Sequence, residues 1–268
     1  MDNRPIGVFD SGLGGLTVVK ELAAALPNES IVYFGDTARV PYGTRSRETI
    51  IKYALQDARF LISQNIKAIV VACGTVSSIA LFPLQNAYKI PIIGVVDATA
   101  TAAAAVTVNK KVGILGTTGT IKSGSFEKML YRIDNKIKAV PKACPMFVPL
   151  VENGFAQSDA AHFIANEYLA DLKQEGVDTI ILGCTHYPLL KGLISDIMGE
   201  GVRLVDSAEP TAKYIAELLA ERDILSNQGA KYSYYVSDAA GDFAKFARLF
   251  LGVKIPVDNV SEIDIEMY

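Results

Sequence analysis

KAIVVACGT (residues 67–75) and DTIILGCTH (residues 178–186) share one build: a charged or polar start, a short apolar run rich in β-branched residues, then a cysteine followed by small or hydroxyl side chains. A continuous apolar run of that length reads as a strand buried on both faces, the kind that makes parallel sheets. Cys184 stands 111 residues after Cys73. Two further pairs follow in the same order at nearly the same offset. IGVFDSG (6–12) matches VGILGTT (112–118) at 106, and IGVVDAT (93–99) matches VRLVDSA (202–208) at 109. Each pair alone is a short Val/Ile match; their common order argues for two copies of one α/β unit.

Working outward, further strand candidates are SIVYFG (30–35), IPIIGVV (90–96), KVGILG (111–116) and VRLVD (202–206). Amphipathic helical patterns separate them, among them residues 16–26, 46–64, 158–176 and 209–225. Strands alternating with helices give an α/β fold. The expected architecture is two pseudo-symmetric lobes, each a mainly parallel sheet flanked by helices, with a cleft between them. Residues 1–97 plus 206–268 are assigned to the first lobe and 98–205 to the second. The stretch YSYYVSD (232–238) and the helix-like GDFAKFARLF (241–250) are expected to pack back on the first lobe, because the second copy is already complete by Asp206. Asp97 is expected to cap the helix after the fourth strand, and Asp206-Ser207-Ala208-Glu209 has capping-box spacing.

Composition excludes several classes. The formal net charge of −3 leaves no electrostatic footprint for nucleic acid and no basic membrane face. Three widely spaced cysteines, 73, 144 and 184, make no disulfide framework and fit a reducing compartment, so a cytoplasmic protein is expected. With two histidines and no CxxC, a metal site is not expected. The apolar run at the start, Ile6 to Phe9, is too short for a signal peptide.

Ligands of open parallel sheets bind beyond the carboxyl ends of the strands. Four small-residue loops follow strands here: DSGLGG (10–15), GDTARVPYG (35–43), CGTVSS (73–78) and CTHYP (184–188). DSGLGG lacks the third glycine of the dinucleotide fingerprint, and Asp10 puts a carboxylate where a phosphate would sit. That arrangement suits a ligand carrying both an ammonium and a carboxylate. A lone cysteine after an apolar strand is usually core. Two cysteines at equivalent ends of facing lobes place one thiol on each side of the cleft. Thiols tune readily toward neutral pH, where acid–base work is most efficient. Chemistry that takes a proton from one face of a carbon and returns one to the other needs such a pair, which is racemisation. His186 stands two residues from Cys184 and is placed to tune it. Cys144 and His162 read as structural or surface residues, Arg45 and Arg47 as helix-start surface charge, and Glu152 as a loop residue.

DSGLGGLTV (10–18), GDTARVPYG (35–43) and GCTHYPLL (183–190) resemble the motifs of the glutamate racemases, within the cofactor-independent aspartate/glutamate racemase superfamily. The resemblance implies that Cys73 and Cys184 are the two acid/base residues. Asp10 would assist at Cys73, and Glu152 and His186 at Cys184. It implies substrate contacts from Asp10, Ser11, Pro41, Tyr42, Gly43, Gly74, Thr75, Thr118, Thr185 and His186. It further implies no cofactor and no metal, a homodimer, and a role in supplying D-glutamate for peptidoglycan. The family's Cys-Asn-Thr reads Cys73-Gly74-Thr75 here, which removes a side-chain contact and puts affinity or selectivity in question. Nucleotide-sugar activation is not expected, because the chain starts almost directly at its first strand. The rival readings are a racemase of aspartate or another amino acid, and an amino-acid-binding protein without turnover.

Overall fold

In the computed structural model, which describes residues 1–268, the apolar runs form two parallel sheets. β1 (Ile6–Asp10), β2 (Ile31–Gly35), β3 (Ala68–Val71) and β4 (Ile92–Gly94) lie in the order β2-β1-β3-β4. β5 (Lys111–Gly116), β6 (Lys138–Ala143), β7 (Thr179–Leu182) and β8 (Arg203–Asp206) lie in the order β6-β5-β7-β8. The two orders are the same, with β3 matching β7. β9 (Tyr232–Val236) then pairs with β2, and β10 (Val260–Glu262) with β9, so the first sheet has six strands.

Two strands fall outside the sequence expectations, for physical reasons. β6, KAVPKA, is a half-exposed edge strand and carries Pro141, which only an edge tolerates. β10, VSE, is too short to show a period. One expected strand is overdrawn: IPIIGVV is extended only at Ile92–Gly94. Val95 already begins a helix, because its amide donates to the Ser77 hydroxyl at 3.1 Å. Asp97 therefore sits in the first turn of that helix, and Gly94 is the residue at its cap.

The helices are α1 (Leu16–Ala25), α2 (Arg47–Ser63), α3 (Gly74–Ile79), α4 (Leu81–Ala87), α5 (Val95–Val106), α6 (Thr118–Ser123), α7 (Ser125–Ile133), α8 (Phe147–Glu152), α9 (Asp159–Glu175), α10 (Lys191–Met198), α11 (Ala208–Glu221) and α12 (Ala240–Leu251). Ser46 and Ser158 accept from the amides of Thr49 and Ala161, capping α2 and α9. Asp206 Oδ1 accepts from Ala208 N at 2.9 Å, fixing the start of α11. α1 packs on α11 and α5 on α7. One apolar core runs from Ile6 and Val8 of β1, through Leu22 of α1 and Ile215 of α11, to Ile180 and Leu182 of β7. The two sheets are thus joined through a shared core, while their strand ends meet at a cleft. No helix is long and apolar enough to cross a membrane.

Candidate active site

β3 ends two residues before Cys73, and β7 two residues before Cys184. Both cysteines are buried and free, and they line one cavity of about 30 Å³. Ser11, Pro41, Tyr42 and Gly43 line it from loops of the first sheet and Gly74 and Thr75 from the first turn of α3; Thr185 and His186 come from the loop after β7, and Glu152 is the last residue of α8 rather than the loop residue the sequence suggests. Val40, Thr117 and Val148 also line it. It adjoins an outer pocket of about 260 Å³ that shares Pro41, Gly43, Thr117 and Glu152 and adds Thr118 and Asn153.

Of the expected site residues, two stand apart from the inner cavity. Thr118 reaches only the outer pocket. Asp10 lies behind the wall, fully buried, its Oδ1 accepting from Gly12 N at 3.0 Å and its Oδ2 from Thr185 Oγ1 at 3.3 Å. Thr117 is the residue the sequence reading missed. Its hydroxyl lies 2.9 Å from that of Thr75 and 3.1 Å from that of Thr120. The repeat held the signal: the offset of 106 that pairs Asp10 with Gly116 pairs Ser11 with Thr117. Tyr42 has its hydroxyl engaged outside the cavity lining: it donates to Asp36 and lies 3.2 Å from Asp57.

The thiols have different partners. Cys73 takes the N-cap of α3, and its Sγ lies 3.6 Å from Ser11 Oγ. Burial, with the charge of Asp10 added, pushes the Cys73 thiol up to about 12. Burial likewise raises Asp10, against the opposing pull of His186 and of its own hydrogen bonds. Cys184 Sγ lies 3.8 Å from His186 Nδ1, and His186 Nε2 lies 2.9 Å from Glu152 Oε1. Burial alone would push His186 down; the hydrogen bonds and charges of Cys184 and Glu152 outweigh it and hold the imidazole up at about 10. His186 is therefore a cation at neutral pH, held between the Cys184 sulfur and the Glu152 carboxylate.

Glycines sit where the two halves come closest. A Cβ on Gly74 would run into the carbonyl oxygen of Gly183, and one on Gly14 into the Thr185 hydroxyl. The remaining candidates lie elsewhere. Cys144 is buried with its Sγ 3.6 Å from the Lys142 carbonyl, and His162, Arg45 and Arg47 are exposed. No three His, Cys, Asp or Glu side chains gather as a metal site.

A sequence profile of the Asp/Glu/hydantoin racemases matches residues 6–215. Glutamate racemase of Geobacter metallireducens is 49% identical over 266 residues, 98% of this chain and 97% of that one. Among solved structures, a glutamate racemase isoform of Bacillus anthracis superposes with a TM-score of 0.95 at 39% identity, covering 98% of both chains. Glutamate racemase of Francisella tularensis in complex with D-glutamate gives 0.93 at 39% identity, covering 100% of both.

Proposed function

The chain belongs to the Asp/Glu/hydantoin racemase family, and from that premise we propose that it is a glutamate racemase that inverts Cα with Cys73 and Cys184 as opposed acid and base. The observation that carries the reading is that both thiols, at the ends of matching strands, line one cavity. Cys184, backed by His186 and Glu152, serves as the base in one direction of the reaction. Cys73, held as a neutral thiol, is the acid. Cys184 takes the α-proton from one face of the substrate while Cys73 delivers one to the other, and the reverse reaction exchanges the roles. Negative charge developing toward the substrate carboxylate is met by donors fixed around the cavity: the hydroxyls of Ser11, Thr75 and Thr117 and the backbone at Tyr42, Gly43, Gly74 and Thr185. Thr118 contributes from the outer pocket, and Asp10 acts on Cys73 by charge and on Thr185 by its hydrogen bond.

A cavity of about 30 Å³ has room for a water or two, less than a glutamate needs. Substrate entry therefore parts the lobes, taken as residues 1–97 with 206–268 and residues 98–205, and closure excludes water. The chemistry asks for no cofactor and no metal. The protein works in the cytoplasm as a homodimer and supplies D-glutamate for peptidoglycan.

Incubation with L-glutamate in deuterated water, without added cofactor, tests the reading. Optical rotation should vanish as deuterium enters Cα. Turnover of L-aspartate alone would keep the mechanism and move the substrate. Binding without α-exchange would make the protein an amino-acid-binding module.

A further inference from the structure

Behind the loop that supplies Val40, Pro41 and Gly43 to the cavity lies a buried polar cluster that the racemisation chemistry does not use. At its centre is Arg39, with 9% of its side chain exposed. Arg39 Nε donates to Asp36 Oδ2 at 2.6 Å, Nη2 to Asp57 Oδ1 at 3.0 Å, and Nη1 to Gln56 Oε1 at 2.7 Å. Its guanidinium lies over the Tyr53 ring, 4.1 Å from the centroid. The same two aspartates receive the Tyr42 hydroxyl. Tyr42 stands between two cavity-lining residues, so whatever fixes Asp36, Arg39 and Asp57 also fixes the loop.

The outer face of this cluster is closed by the segment Ile265–Met267, far along the chain. Arg39 Nη1 donates to Glu266 Oε1 at 3.2 Å, and Gln56 Nε2 to Glu266 Oε2 at 3.3 Å. Two apolar anchors hold the segment there: Ile265 is buried in the core beneath α2, and the Tyr268 ring meets Phe60 edge-on with centroids 5.4 Å apart. Glu266 alone connects the segment to the arginine that organises the loop. An exposed ion pair holds little by itself. Here one partner is buried and already shared by two carboxylates and an amide, so the pair acts on a rigid cluster.

We propose that Glu266 is a positioning residue for substrate binding, latching the Val40–Thr44 loop against the cleft through Arg39 and Tyr42. This rests on the racemase reading for its kinetic consequence, and its structural consequence can be read separately. The matched family profile ends at residue 215, so the latch lies outside it. The loop touches substrate in ground and transition states alike, so its loosening raises KM while leaving the thiol chemistry intact.

The test uses the full chain with Glu266→Ala, the milder Glu266→Gln, and Lys142→Ala, which cuts the surface pair with Asp171, as the control. Glu266→Ala should raise KM for glutamate about three- to tenfold with kcat within twofold, as loss of uniform binding does. Glu266→Gln, which keeps the acceptor, should fall between it and the wild type. Backbone amides of residues 42–45 should exchange with solvent faster in Glu266→Ala and unchanged in Lys142→Ala. A lower melting temperature with KM and loop exchange at wild-type values would reduce the segment to a structural cap and overturn the proposal. A parallel fall of kcat with the folded fraction would do the same. Wild type that fails to turn over glutamate would count against the racemase reading, while loop exchange would still decide the latch.

Discussion

At Cys73 the chain leaves β3 and enters helix α3 directly, with the thiol at the cap and Ser11 beside it. At Cys184 it leaves β7 and turns through Tyr187–Leu190, which brings His186 back onto the sulfur and leaves Glu152 behind the ring. The strands are copies; the partners are not. A duplicated scaffold puts two thiols in one cavity and gives them unequal neighbours. Crossings between the halves follow the same rough dyad: Thr75 meets Thr117 in one direction and Thr185 meets Asp10 in the other.

Removing either thiol should break the pair most severely. Cys73→Ala and Cys184→Ala should each lower racemisation by about 10²- to 10⁴-fold, the usual weight of a positioned acid or base. Circular dichroism of the glutamate pool measures it. The halves should then differ in what survives. Cys73→Ala keeps Cys184 with its His186–Glu152 backing and should still exchange the α-hydrogen of one enantiomer with deuterated water. Cys184→Ala keeps only the thiol held up at about 12 and should exchange neither. Equal residual exchange in the two variants would show that the asymmetry has no kinetic weight.

Glu152→Gln sharpens the comparison on the Cys184 side. A hydrogen bond to a charged group is worth about 1.5–3 kcal/mol, so kcat/KM near pH 8 should fall roughly ten- to a hundredfold. The pH profile gives the sign. His186 is held up at about 10 from an ordinary 6.5, so its protonated form is lost as pH rises through the higher value. Without Glu152 the imidazole gives up its proton earlier, and the alkaline limb of kcat/KM should move to lower pH. Stability follows the same rule: a raised imidazole contributes fully below 6.5 and loses that contribution as pH climbs to about 10. Thermal melts of wild type and Glu152→Gln should converge at the alkaline end. An unmoved limb would mean that another group sets it.

How much of this was legible in the sequence follows from burial. β3 and β7 are covered on both faces, so they are unbroken apolar runs, and the repeat between them announces itself. β6 occupies the place of β2 but has no strand outside it, so its sequence is free to be KAVPKA and the match disappears. The start of α5 was misplaced because a hydroxyl from another helix, Ser77, supplies its first partner. Within the site, His186 was visible beside Cys184, but its bond to Glu152 spans 34 residues, and the residues themselves gave Glu152 no role; only the family resemblance did. Arg39 is buried while Arg45 and Arg47 are exposed, a difference the sequence does not carry, since a charge in a loop motif does not reveal whether it faces in or out.

Gly74 tests the spacing of the halves. Its Cα faces the Gly183 backbone so closely that a methyl group collides with the carbonyl oxygen. Backbone yields less readily than a side chain, and overpacking costs about 1–3 kcal/mol. Gly74→Ala should therefore lower kcat/KM about five- to a hundredfold by holding the closed lobes apart, with the larger Gly74→Asn at least as impaired. Steady-state kinetics in both directions would measure this. An active Gly74→Asn would instead mean that the cleft opens at little cost and accepts the family's side chain.

The smallest effect separates neighbouring threonines. Thr117 bonds across the cleft to Thr75, and Thr118 faces only the outer pocket. One neutral hydrogen bond contributes on the order of 1 kcal/mol, so Thr117→Val should cost about fivefold in kcat/KM. Thr118→Ala, which breaks no bond across the halves, should stay within about twofold. The resemblance points to Thr118 and the repeat to Thr117, the counterpart of Ser11. If the ranks reverse, substrate meets the second half further out than the shared cavity, and the match between halves stops at the thiols.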